Sequence, residues 1–138
     1  MIKAIIFDLD NTLLDFVKMK RFAVRAAVTA MNEAGLGVDE KKAFDDIFDL
    51  YLNKGWEHQQ VFDDYLQQTT GKVSNKVLAA GIVSYRRARE ATLLVYPNVN
   101  KTLIELLKMG IKLAVVSDAP SREAWMRLYY LNLHHIFD

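Results

Sequence analysis

Two short apolar runs at opposite ends of the chain, residues 2–9 and 111–116, limit its fold more than any other feature. Both are apolar at nearly every position rather than at alternate ones. That pattern predicts strands buried on both faces, as in a parallel sheet. Acidic and turn residues follow the first run at once: Asp8, Asp10 and Asn11. Ser117-Asp118-Ala119-Pro120 closes the second. Pro97-Asn98 stands where a helix begins and Gly110 where one is capped, so residues 98–109 read as a helix feeding the second strand. Residues 121–131 read as the helix after it, with Ser121 as N-cap.

Between the runs the patterning is helical throughout, from Phe16 to Leu94. Apolar residues are dense over 21–34 and stop at Gly35. Asp39 can cap a second helix, in which Phe44, Ile47, Phe48 and Tyr51 share a face. His58, Val61, Phe62, Tyr65 and Leu66 repeat that spacing in a third, ended near Gly71. Ser74 or Asn75 can cap a fourth, with Leu78, Ile82 and Tyr85 on one face. The architecture is thus α/β, with a helical bundle (16–94) inserted into a strand-bearing domain (1–15 and 95–138).

Composition excludes several classes. Of 138 residues, 51 % are hydrophobic and 25 % charged, which sets the chain apart from disordered sequences. The absence of Cys excludes disulfides and thiolate metal sites. Lys+Arg is 18 against Asp+Glu 17, so no basic excess points to nucleic acid. No apolar run is long enough for a bilayer, and Asp8 interrupts the N-terminal run before it could serve as a signal peptide. The expectation is a cytoplasmic protein with neither nucleic-acid nor membrane partners.

The informative segment is Phe7-Asp8-Leu9-Asp10-Asn11-Thr12. Two carboxylates stand two residues apart at the C-terminal end of a predicted parallel strand, where open α/β sheets place their ligands. Strand residues i and i+2 point the same way, so both carboxylates are expected to face one ligand. The competing explanation is an ordinary turn, since Asp and Asn commonly follow strands.

This segment resembles the first motif of the haloacid dehalogenase-like hydrolase superfamily. Val115-Val116-Ser117-Asp118 resembles the second motif, and the intervening helices resemble the family's C1-type helical cap. Tyr96-Pro97-Asn98-Val99 resembles the Tyr-Pro-Gly-Val turn common in that group, with Asn98 in place of Gly. The stretch from Leu131 to Asp138 resembles the approach to a third strand. The fold implied is the first part of a Rossmann-like parallel-sheet core carrying a helical cap.

The resemblance implies a Mg²⁺-dependent phosphatase acting on a small phosphorylated metabolite. Asp8 would be the nucleophile forming an aspartyl-phosphate, and Asp10 the general acid and base. Mg²⁺ would bind the Asp8 carboxylate and the Asp10 backbone carbonyl. Ser117 would donate to a phosphoryl oxygen, and Asp118 would contribute its backbone N–H. Dehalogenases of the family lack the acid at position 10, so Asp10 favours phosphoryl chemistry. Closure of the cap would exclude water and select the substrate. Alternatives are a phosphomutase or phosphonate hydrolase on the same scaffold, or a catalytically incompetent helical interaction module. A receiver domain shares the acidic pair but lacks the helical insertion.

The family's later motifs, a Lys and further Mg²⁺-binding Asp residues, have no counterpart here. A core of two strands with open edges is marginal. The chain is therefore expected to be part of a longer enzyme, weakly active or inactive alone, and to dimerise, aggregate or rely on a partner.

Lys18, Arg21 and Arg25 share a helical face, with Lys20 beside them. They read either as contacts for an anionic substrate, Lys18 and Arg21 foremost, or as a solvated face. Arg86 and Arg89 read as surface charges, Asp15 as a helix N-cap, and Trp56 as packing. His58, His134 and His135 lack metal-ligand spacing and read as structural or surface groups.

Overall fold

The computed structural model describes residues 1–137, so the expectation at Asp138 lies outside the described residues. The two apolar runs form β1 (Ala4–Phe7) and β2 (Lys112–Val115), paired in parallel with Phe7 opposite Val115. Six helices accompany them among the described residues: α1 (Phe16–Glu33), α2 (Glu40–Lys54), α3 (Val61–Thr70), α4 (Asn75–Thr92), α5 (Val99–Lys108) and α6 (Ser121–Tyr130). The class is α/β, as the patterning indicates.

The chain divides into two compact units. A sheet unit comprises Met1–Met19 and the chain from Ala91 onward, and a helical unit comprises Lys20–Glu90. The division falls inside α1 and α4, about one helical turn further in than residues 16 and 94. Phe16 and Met19, both buried, belong with the sheet unit.

The helical unit closes on its own residues. Its core gathers Ala23, Val24, Val28 and Met31 of α1, Ile47 and Tyr51 of α2, Val61, Phe62 and Tyr65 of α3, and Val77 and Tyr85 of α4. Leu78 and Ile82 pack against that core. Asp39 caps α2 by accepting the Lys42 N–H at 2.9 Å, and left-handed Gly71 ends α3. His58 precedes α3 rather than belonging to it, because the helix starts only at Val61.

The sheet unit is less closed. The pattern of β1 predicts burial on both faces, but its residues alternate between exposed and half-buried, with Ile6 67 % exposed. With two strands among the described residues, no second layer covers that face. Leu9, Leu13, Leu14, Leu103, Leu113, Leu128 and Leu133 are buried in this unit. Asn98 sits at φ +67°, in the left-handed region where Gly is favoured and Asn is the best tolerated substitute. The residue replacing Gly in the Tyr-Pro-x-Val turn is thus one that its backbone accepts. At α6 the N-cap is Pro120, not Ser121. The Pro120 carbonyl already accepts the Ala124 N–H at 3.0 Å, which brings Ser121 inside the helix.

Candidate active site

Asp8 is the first residue beyond β1, and Ser117 follows shortly after β2. The Val116 N–H donates to the Phe7 carbonyl at 2.9 Å, so the pairing persists to the point where both segments leave the sheet. Asp8 and Ser117 therefore emerge at the same, C-terminal end of the parallel pair. The Asp8 side chain accepts from the Leu9 N–H at 2.9 Å and from the Thr12 hydroxyl at 3.4 Å. These bonds fold the loop over Asp8 while leaving the residue exposed. The Ser117 Oγ accepts the Ala119 N–H at 3.1 Å, and the hydroxyl keeps its own O–H for donation. Asp118 is exposed in the same loop.

The loop after β1 is pinned from both ends. Leu9 and Leu14 are fully buried, and the Leu13 carbonyl accepts the Tyr96 N–H at 2.9 Å. Asn11 takes a left-handed conformation, φ +62°, and its Oδ1 accepts the Phe16 and Val17 N–H groups at 3.1 and 3.3 Å. Asp15 Oδ1 accepts the Lys18 N–H at 3.1 Å, the capping role its position suggests. Asn11 caps the same helix, a role sequence reasoning missed.

Asp10 differs from Asp8. The strand ends at Phe7, so the two-residue alternation that would turn both carboxylates one way does not extend to Asp10. Its Oδ2 accepts a hydrogen bond from Arg127 Nη1 at 2.7 Å, and its Oδ1 is buried. Arg127, on α6, is itself buried and lies 4.8 Å from the ring centroid of Phe16. Arg127 was also missed, although it lies beside the apolar stripe of Ala124, Leu128 and Leu131.

Mg²⁺ prefers hard oxygen ligands and commonly takes one or two carboxylates with several waters. The exposed Asp8 carboxylate and the Asp10 backbone carbonyl, two residues on, have that character. The Asp10 side chain is engaged by Arg127, which leaves the carbonyl as its donor toward a cation. The described residues contain no group of three or more His, Asp or Glu placed to hold a metal.

Lys18, Arg21 and Arg25, which share the predicted face of α1, are all exposed. The Arg21 guanidinium is 5.9 Å from the Phe48 ring and that of Arg25 5.6 Å from Phe44. Lys20, beside that face, is buried. Its ammonium donates to the Tyr85 hydroxyl at 2.5 Å and lies 4.1 Å from the Tyr51 ring. Burial, then the neighbouring Tyr85, pushes the Tyr51 hydroxyl well above the ordinary phenol range. Arg89 lies 5.7 Å from the Tyr85 ring, and Arg86 is exposed. Trp56 stacks on Tyr51 at 5.9 Å, in keeping with packing. His58 bonds Asp64 at 2.7 Å, and His134 stacks on Tyr129 at 4.0 Å, with His135 edge-on to it.

Residues 2–138 match the haloacid dehalogenase-like hydrolase family. The chain belongs to that family. It is 38 % identical, over its full length, to a glyceraldehyde 3-phosphate phosphatase of Methanocaldococcus jannaschii, and covers 60 % of that protein. A protein of the same name from Methanopyrus kandleri is 36 % identical over 99 % of this chain, which again covers 60 % of the relative. A solved structure from Thermotoga maritima, described as a candidate β-phosphoglucomutase, superposes with a TM-score of 0.68 at 24 % identity, over 99 % of this chain and 59 % of that one. That likeness concerns the fold. The chain thus spans about three fifths of the length of these relatives.

Proposed function

We propose that this chain carries the nucleophile-bearing part of a cytoplasmic, Mg²⁺-dependent phosphatase that hydrolyses a small phosphate monoester through an aspartyl-phosphate. The observation that carries the reading is the exposed Asp8 at the C-terminal end of the β1–β2 pair, with Ser117 at the same end and Asp10 in the same loop. The naming of relatives for glyceraldehyde 3-phosphate supports a short sugar phosphate as substrate. No helix among the described residues is long and apolar enough to cross a membrane.

In this reading an Asp8 carboxylate oxygen attacks phosphorus, and the bond from phosphorus to the ester oxygen breaks. Asp10 delivers its proton to that leaving oxygen, which departs as the alcohol. Asp10, now a carboxylate, takes a proton from water. That water attacks phosphorus, the bond to Asp8 breaks, and inorganic phosphate leaves with Asp8 restored. Ser117 donates its O–H to a phosphoryl oxygen throughout. Mg²⁺, held by the Asp8 carboxylate and the Asp10 carbonyl, would neutralise charge between nucleophile and phosphate. The Asp118 N–H assists at the phosphoryl group. The helical unit serves as the substrate-selecting cap, with Lys18 and Arg21 as cationic contacts.

The test is phosphate release by the full-length protein from glyceraldehyde 3-phosphate and from p-nitrophenyl phosphate, with and without chelator. Asp8→Asn is expected to abolish release while leaving the circular dichroism spectrum intact. Chelation is expected to abolish it reversibly, with activity restored by Mg²⁺. Undiminished turnover by Asp8→Asn would sink the reading.

A further inference from the structure

The Asp10–Arg127 pair joins residues far apart in sequence, and the assumed chemistry does not require it. Arg127 Nη1 holds Asp10 Oδ2 at 2.7 Å. The Arg127 side chain is 10 % exposed and that of Asp10 22 %. Phe16, itself buried, supports the guanidinium at 4.8 Å. One rigid cation is thus fixed by α6 on one side and an aromatic ring on the other. Burying such a pair has a desolvation cost that mutual attraction often only offsets, so stability alone is a weak reason for it. A planar guanidinium does limit the directions a bound carboxylate can take. Proton transfer tolerates little misplacement of the transferring group.

Resting on the phosphatase reading above, we propose that Arg127 is the positioning residue for Asp10, fixing its carboxyl group for proton transfer to the leaving oxygen. Arg127 touches neither substrate nor phosphorus in this role and acts only through Asp10. Its effect on formation of the aspartyl-phosphate therefore follows the leaving group, whereas hydrolysis of that intermediate is the same for both substrates. An alkyl phosphate needs a proton on its departing oxygen, whereas p-nitrophenolate leaves readily without one.

The experiment compares Asp10→Asn, Arg127→Met and the double variant of the full-length protein on glyceraldehyde 3-phosphate and p-nitrophenyl phosphate. In single-turnover measurements of alcohol or phenol release, Arg127→Met is expected to slow the first step on the alkyl phosphate roughly tenfold to a hundredfold, with a much smaller loss on the aryl phosphate. In the Asp10→Asn background the same change is expected to have no further effect. Where Arg127→Met does not fold, Arg127→Lys carries the test, since it keeps the charge without the planar fork and should show the same leaving-group pattern in smaller measure. Equal losses in the first-step rate on both substrates, or additive losses in the double variant, would overturn the positioning role. Should Asp10→Asn itself leave alkyl-phosphate turnover intact, the phosphatase reading of Asp10 fails first. A loss in Asp10→Asn with none in either Arg127 variant refutes the role of Arg127 alone.

Discussion

The helical unit and the sheet unit use similar side chains to opposite effect. Between Lys20 and Glu90, four large apolar residues are exposed: Phe22, Leu52, Val73 and Val83. In the sheet unit there are twelve among the described residues, Ile6, Val116, Trp125 and Met126 included. The difference follows from architecture rather than composition. Each helix of the bundle has one apolar stripe and finds its complement in the other helices of the same unit. A parallel strand has two apolar faces and needs a layer on each. Here the two strands among the described residues leave Ile6 open, and six of the twelve lie on α5 and α6, the helices of the same unit.

The largest expected effect sets one isoleucine of each unit against the other. Ile47 is fully buried in the helical core, whereas Ile6 in β1 is 67 % exposed. Ile47→Ala is expected to cost about 2–5 kcal/mol through lost transfer energy and a residual cavity. Ile6→Ala should change stability by less than about 0.5 kcal/mol, as at other exposed sites. Urea denaturation of both variants reads the contrast. Equal costs would mean that Ile6 is covered in solution, and the comparison would then break.

A smaller effect sharpens the claim that the helical unit is tightly packed. Gly81 lies within α4, and a Cβ added there would stand 2.9 Å from both Cγ and Sδ of Met31. Overpacking of this kind costs about 1–3 kcal/mol. Replacing a mid-helix Gly by Ala returns about 1 kcal/mol of helix propensity. Gly81→Ala is therefore expected to lower stability by about 1 kcal/mol, measured as a drop in Tm. A rise in Tm would show that Met31 yields freely and that this core is looser than its burial suggests.

Local features were legible in sequence, and long-range pairings were not. Asp8 and Ser117 could be read because each follows a recognisable apolar run within a few residues. The Asp39 cap could be read for the same reason: donor and acceptor lie three residues apart. The burial of Lys20 was not legible because its partner Tyr85 is 65 positions away. Arg127 and Asp10 are separated by 117 positions, and nothing local signals their pairing. The alternation in β1 was illegible for a different reason. An apolar run records what a strand can bury, while its exposure depends on the layers that cover it.

The smallest expected effect lies at the edge of the helical unit, where Asp64 in the first turn of α3 accepts from Lys54 at 2.6 Å and from His58 at 2.7 Å. The Lys54 bond, and then the His58 bond, hold the Asp64 carboxyl below the usual carboxylate range. A carboxyl whose pKa is lowered on folding adds stability above its unfolded pKa, near 3.9. That contribution is lost as pH falls through the lower, folded value. Both partners are partly exposed, so the contribution should not exceed about 1 kcal/mol and should shrink with added salt. The difference in unfolding free energy between the native chain and Asp64→Asn is therefore expected to close as pH falls below about 5. A difference that widens below about pH 5 would reverse the sign assigned to this group and show that the Lys54–Asp64–His58 contact does not favour the ionised carboxylate.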